Sequence, residues 1–161
     1  MRVLMVCMGN ICRSPTAEGV LRQRLAAAGL ADAVGVDSAG TYSGHSGEAP
    51  DPRAQRHARE RGVDLSRLRA RSVTAEDFQR FQLILAMDGE NLRALQRLQP
   101  AGAPPPRLLM SFSRRPGAPK DVPDPYYGGP QGFEQVLDLV EDACDGLLIH
   151  LQTELQGNFR R

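Results

Sequence analysis

One stretch near the start of this chain restricts its fold more than any other. A short apolar run, Val3 to Val6, stops at Cys7-Met8-Gly9-Asn10, and a helical pattern begins at Ser14-Pro15. A continuous apolar run of that length reads as a strand buried on both faces. Ser14 and Pro15 read as an N-cap and a first helical position, and Ala17, Val20, Leu21 and Leu25 lead on to Gly29 as a stop. The result is a strand, a loop and a helix in close succession.

The same alternation recurs downstream. A second strand is expected at Val34 to Ser38, and Asp51-Pro52 should cap a helix that Gly62 ends. Thr74-Ala75-Glu76-Asp77 resembles a capping box before a short helix. Leu83 to Met87 reads as a third strand followed by a helix capped near Asp88, and Arg107 to Met110 as a fourth strand. The clearest helix is the last, where Phe133, Val136, Leu137, Val140, Cys144, Leu147, Leu148, Leu151 and Leu155 step along one face that the sheet should cover. Strands alternating with helices imply parallel pairing through right-handed crossovers, hence an α/β domain with a doubly wound sheet between two helical layers. Ligands of such folds bind at the carboxyl ends of the strands. The Pro- and Gly-rich stretch from Pro100 to Pro130 is expected to form ordered loops around the fourth strand, and Gly40 to Pro50 a loop.

With 161 residues, the chain is expected to form a single domain over 1–161, because two independent cores would not fit. Twenty Lys and Arg against 19 Asp and Glu, a net charge of +1, give no general attraction to nucleic acid or to an anionic membrane, and neither is expected as a partner. The opening apolar run is far too short for a signal peptide or a membrane span, so a cytoplasmic location is expected. Three cysteines in that setting do not suggest a disulfide framework.

Cys7 instead occupies the point where a strand ends and a helix is about to begin. Unpaired N–H groups and the helix dipole meet there and favour an anion, including an anionic sulfur. The N–H groups from Met8 through Gly9, Asn10, Ile11 and Cys12 can wrap a tetrahedral oxyanion, and Gly9 and Asn10 tolerate the left-handed backbone such a nest needs. Arg13 adds a planar fork for two phosphate oxygens. Ser14 can support the thiolate as well as the helix end. Phosphoryl transfer to Cys7 requires an acid for the leaving oxygen, and Asp124 is the candidate, stiffened by Pro123 and Pro125. Tyr126 and Tyr127 follow it and can wall a phenyl ring. His45, His57 and His150 are dispersed and no cysteine pair has zinc spacing, so no metal is expected.

These motifs resemble a known family. The run Cys7-Met8-Gly9-Asn10-Ile11-Cys12-Arg13-Ser14-Pro15, with Asp124-Pro125-Tyr126-Tyr127, is similar to the low-molecular-weight protein tyrosine phosphatases. Asp37 to Thr41, Asp51-Pro52-Arg53 and Ala86-Met87-Asp88 extend the resemblance over nearly the whole chain. It implies a four-stranded parallel sheet of the phosphotyrosine protein phosphatase I type, without metal or organic cofactor. It also implies Cys7 as a nucleophile that becomes a phosphocysteine, Arg13 as phosphate binder, Asp124 as acid and then base, and Asn10 and Ser14 as supports. A tyrosine-phosphorylated protein would be the substrate, and a tyrosine kinase is a second candidate partner.

Four points stay open at this level. Cys12 can pair reversibly with Cys7 or serve as a packing residue. The family usually carries a bulky aromatic where this chain has Gly44, so Tyr42 either substitutes as a wall or packs on its own loop. His57 either pairs with Asp88 or is a solvated helix histidine, whereas Cys144 belongs to the apolar stripe. An arsenate reductase and a non-catalytic phosphate-binding module are the rival functions; the first uses redox cysteines where this chain has Leu83 to Met87.

Overall fold

A computed structural model describes residues 1–159. Four parallel strands, β1 (Arg2–Cys7), β2 (Gly35–Gly40), β3 (Leu83–Ala86) and β4 (Arg107–Leu108), form one sheet in the order β2-β1-β3-β4. Helices α1 (Arg13–Ala27), α2 (Pro52–Glu60), α3 (Asp77–Arg80), α4 (Gly89–Leu98) and α5 (Pro130–Phe159) flank it. The doubly wound α/β architecture read from the alternating pattern is present.

Alternation along β1 divides the core. Val3, Met5 and Cys7 point into an apolar cluster shared with Leu21 of α1 and with Val140, Leu147 and Leu151 of α5. Leu4 and Val6 point the other way, against Phe78 of α3 and Leu95 of α4. The central strand is thus buried on both faces, which is why its sequence lacks polar alternation. Replacing a fully buried leucine such as Leu4 or Leu147 with alanine costs about 2–5 kcal/mol.

Helix ends follow local chemistry. Asp51 caps α2 by accepting from the Arg53 N–H at 2.8 Å, and Asp88 caps α4 by accepting from the Asn91 N–H at 2.8 Å. Gly29 and Gly62, just beyond α1 and α2, take positive φ of 74° and 79°. Of the expected box before α3, one half forms: the Asp77 carboxylate accepts from the Thr74 N–H at 2.9 Å.

Two expectations are corrected. The fourth strand has only two residues, because the chain turns at once into a 3-10 turn, Leu109–Phe112, where Ser111 Oγ donates to the Leu108 carbonyl at 2.7 Å. The apolar stripe of α5 packs foremost on α1 and this turn, and shares its cluster with the sheet rather than lying flat on it. That approach is close: a Cβ on Gly146 would overlap the Phe112 carbonyl, so only glycine fits there.

Candidate active site

Strand order reverses between β1 and β3, since α1 leads from β1 toward β2 while α4 leads from β3 toward β4. The crevice at their carboxyl ends is where an open α/β sheet accepts a ligand. Cys7 ends β1 there and Asp88 follows β3.

Between Cys7 and α1 the loop curls tightly. Asn10 makes the curl with φ of 56°, a left-handed conformation that asparagine adopts more readily than most residues. Its N–H donates to Cys7 Sγ at 3.3 Å. Among the described residues, the N–H groups of Met8, Gly9, Ile11 and Cys12 find no acceptor within the protein. Four free donors around one concavity, with a helix N-terminus behind them, form an anion nest.

The loop rests on a buried polar chain. Asn10 Nδ2 donates to Ser14 Oγ at 2.8 Å and Ser38 Oγ at 3.0 Å, and Asn10 Oδ1 accepts from the Arg71 N–H at 3.0 Å. Ser38 Oγ donates in turn to Glu18 Oε1 at 2.7 Å. Burial pushes the Glu18 carboxyl above its usual range, against the opposing pull of Ser38 and Arg22. Ser14 Oγ lies 3.0 Å from Cys7 Sγ. Ser14 accepts from Asn10, so its own proton can go to the sulfur at 3.0 Å or to the Ala39 carbonyl at 3.5 Å, and the sulfur is the nearer. Ser14 therefore does not cap α1, which begins one residue earlier with Cys12 at the cap position and no side-chain cap.

Arg13 is almost fully enclosed, with its side chain 4% exposed. Its Nη1 pairs with Asp88 at 2.6 Å and donates to the Val122 carbonyl at 3.1 Å, while Nη2 lies 3.7 Å from Asp124 Oδ2. Burial alone would lower the guanidinium's affinity for its proton, but Cys7, Asp88 and Asp124 together raise it, so the cation persists. Asp124 Oδ1 accepts from the Tyr126 N–H at 3.0 Å. The other oxygen is the one nearest Arg13, and both residues line one cavity.

This cavity, of about 250 Å³, brings together Cys7, Arg13 and Asp124 with Tyr42, Tyr126 and Tyr127. Met8, Gly9, Ile11 and Cys12 complete its floor and rim, while Asn10 and Ser14 stand behind it, buried. Its lining also includes His45, which sequence reasoning did not assign to the site. A neighbouring pair holds the Tyr126 segment. Arg53, fixed by Asp51 at 2.9 Å, donates to the Tyr126 carbonyl at 2.9 Å and lies over the Tyr126 and Phe133 rings.

Cys12 is buried, and its thiol is pushed up by that burial and then by Asp51. All three cysteines are free, and Cys144 lies fully in the core as its stripe position implies. His57 is neither solvated nor bonded to Asp88. It is 8% exposed, stacks on Phe133 at 5.5 Å and bonds Glu134 at 2.7 Å. The reason is topological: α2 packs on the α5 side of the sheet, whereas Asp88 heads α4 on the other side.

Ser38, Glu18, Arg71 and Arg53 also escaped sequence reasoning as site residues. Ser38 and Arg53 lay within quoted motifs, but Glu18 and Arg71 carry no local signal.

The family model described as low molecular weight phosphotyrosine protein phosphatase matches residues 2–157. The chain belongs to this family. It is 46% identical over 159 residues to a low molecular weight protein-tyrosine-phosphatase of Streptomyces coelicolor, covering 97% of this chain and 96% of the relative. A crystal structure of a protein tyrosine phosphatase from Entamoeba histolytica, with Hepes in its active site, superimposes with a TM-score of 0.91 at 38% identity, covering 96% of this chain and 98% of that one. The crystal structure of a Drosophila arginine phosphatase does so with a TM-score of 0.86 at 33% identity, covering 94% and 98%. This low molecular weight phosphatase is thus a phosphoric monoester hydrolase that acts on phosphotyrosine through a phosphocysteine intermediate, the chemistry general to the family. Among the described residues no helix is long and apolar enough to cross a membrane.

Proposed function

We propose that Cys7 is the nucleophile of this phosphatase, Arg13 its phosphate clamp and Asp124 its acid and base. The observation that carries this reading is the convergence of the three on one cavity floored by unpaired N–H groups. The Cys7 thiolate attacks phosphorus, the S–P bond forms, and the bond to the tyrosyl oxygen breaks as protonated Asp124 gives that oxygen its proton. Asp124, now a carboxylate, takes a proton from water as the water attacks phosphorus and the S–P bond breaks. The departing thiolate is received by Ser14 Oγ and the Asn10 N–H. Arg13 and the loop donors bind the equatorial oxygens, whose charge they stabilise in both steps.

Tyr42, Tyr126 and Tyr127 wall the phenyl ring, so tyrosine-phosphorylated proteins are the substrates and small aryl phosphates their surrogates. Residues 1–161 act as one catalytic domain in the cytoplasm, where thiols stay reduced. A tyrosine kinase that phosphorylates the same substrates, or the exposed Tyr127, is the matching partner.

The test is phosphate release from phosphotyrosine, phosphoserine and phosphoarginine peptides and a small aryl phosphate, with EDTA present. Turnover of the phosphotyrosine and aryl substrates, lost in Cys7→Ser while vanadate still binds, is expected. Turnover retained by Cys7→Ser would overturn the residue roles, and preference for phosphoarginine would move the substrate class.

A further inference from the structure

The loop between β2 and α2 bears on substrate choice through a residue that has no side chain. A Cβ built on Gly44 would overlap Cε1, Cζ and Oη of the Tyr42 side chain. Gly44 is not among the glycines with positive φ, so the position demands space rather than backbone freedom. Tyr42 occupies that space.

The ring so placed begins an aromatic row. Tyr42 meets His45 edge-on at 6.0 Å, His45 lies 6.5 Å from Tyr126, and Tyr126 meets Tyr127 edge-on at 4.8 Å. His45 is fixed at both sides of its ring. Nδ1 is 2.8 Å from Glu48 Oε2, and Cδ2 rests against Gly9 of the phosphate loop, 3.1 Å from where a Cβ would be. Tyr42, 55% exposed and without a hydrogen bond to its hydroxyl among the described residues, packs its ring on Gly44 and His45.

We propose that Gly44 is a specificity-determining residue: its missing side chain lets the Tyr42 ring cross the loop and close one side of the cavity against the phenyl ring of an aryl phosphate. This deepens the reading of the cavity as a tyrosine phosphatase site and rests on it. A single methyl group at position 44 is enough to displace the ring, because the overlap is with the ring atoms and the exposed side chain is what yields. Recognition at this side of the site therefore belongs to a pair of residues, one that stacks and one that makes way. The chemistry at Cys7 is untouched by the pair.

A double-mutant cycle tests it. KM and kcat for a phosphotyrosine peptide and a small aryl phosphate are measured for wild type, Gly44→Ala, Tyr42→Ala and the double variant. Each single change is expected to raise KM about fivefold, the size of one aromatic stacking contact, with kcat within about twofold. In the Tyr42→Ala background, Gly44→Ala should add nothing. A nuclear Overhauser contact between the Tyr42 ring and the Gly44 Hα protons should be present in wild type. Absence of that contact, an unchanged KM in Gly44→Ala, or a Gly44→Ala effect that persists in full without Tyr42 would each overturn the proposal. Absence of aryl phosphate turnover by wild type would instead overturn the residue roles at Cys7, while the Overhauser contact still tests the packing.

Discussion

The two ends of the candidate active site are built by opposite means. At its floor, Cys7, Asn10, Arg13 and Ser14 are all at most 3% exposed, and a chain of hydrogen bonds runs from the sulfur through Ser14, Asn10 and Ser38 to Glu18. At its mouth, Tyr42 and Tyr127 are 55% and 96% exposed, and rings meet rings with few polar contacts. Charge that develops on phosphate and sulfur needs donors already in place, so that no reorganisation is needed at the moment of reaction. A phenyl ring needs only a flat apolar partner, which exposed side chains can supply. The floor is therefore expected to tolerate almost no change, and the mouth to tolerate much.

The contrast can be broken most sharply at the floor. Cys7→Ser should reduce kcat on the order of 10⁴- to 10⁶-fold while leaving the anion nest able to bind vanadate. Asp124→Ala should slow turnover about 10²- to 10⁴-fold, most for phenolic leaving groups of high pKa and least for activated ones. An equal loss across leaving groups would show that Asp124 is not the acid.

Asn10 sharpens the comparison in another way, since it serves both backbone shape and buried hydrogen bonding. Asn10→Ala should destabilise the protein by about 3 kcal/mol in denaturant unfolding, because Ser14, Ser38 and the Arg71 N–H lose a buried partner and a left-handed φ is kept without its favoured residue. Asn10→Gly should recover part of that loss, and no recovery would mean that the curl itself costs little.

Asp51 joins floor and mouth, because it caps α2 and fixes Arg53 against the Tyr126 carbonyl. Asp51→Ala should cost about 1 kcal/mol from the lost cap. Burial would raise this carboxyl, yet its hydrogen bonds with Arg53 hold it below the ordinary carboxylate value of 3.8. A depressed pKa stabilises the fold above the unfolded value, and that stability is lost as pH falls through the folded one. Wild type and Asp51→Asn should therefore converge in stability in strong acid and diverge as pH rises toward about 4, with the full difference present above it. The smallest effect is expected at Cys12 and Cys144, whose thiols burial pushes up: neither should be alkylated by iodoacetamide in the folded protein at pH 8.

How much of this could be read beforehand depended on how far apart the partners lie in the chain. Every strand and helix was foreseen from its own residues, because hydrophobic period and capping chemistry act over a few positions. The exception was β4, where only the packing of Leu109, Met110 and Phe112 into the core shows why the strand ends so early. His57 illustrates the opposite case. Its pairing with Asp88 looked plausible in sequence, but the sheet separates the two, and Glu134, 77 residues on, becomes the partner. The rivals named from sequence fall differently, since the family assignment replaces both the arsenate reductase and the non-catalytic module.

The sequence by itself determined that a strand would end at Cys7, that a loop suited to an anion would follow, and that a helix would begin close behind Arg13. These are local consequences of backbone preference, side-chain length and an interrupted apolar run. Tertiary structure alone decided that Asp88 would hold Arg13, that Glu18 and Ser38 would anchor Asn10, and that Tyr42 would lie across Gly44 beside the tyrosines of a distant loop. The first two depend on which strands become neighbours, since β2 and β3 flank β1 on either side. The third depends on space left empty, and a missing side chain becomes informative only when its surroundings are known.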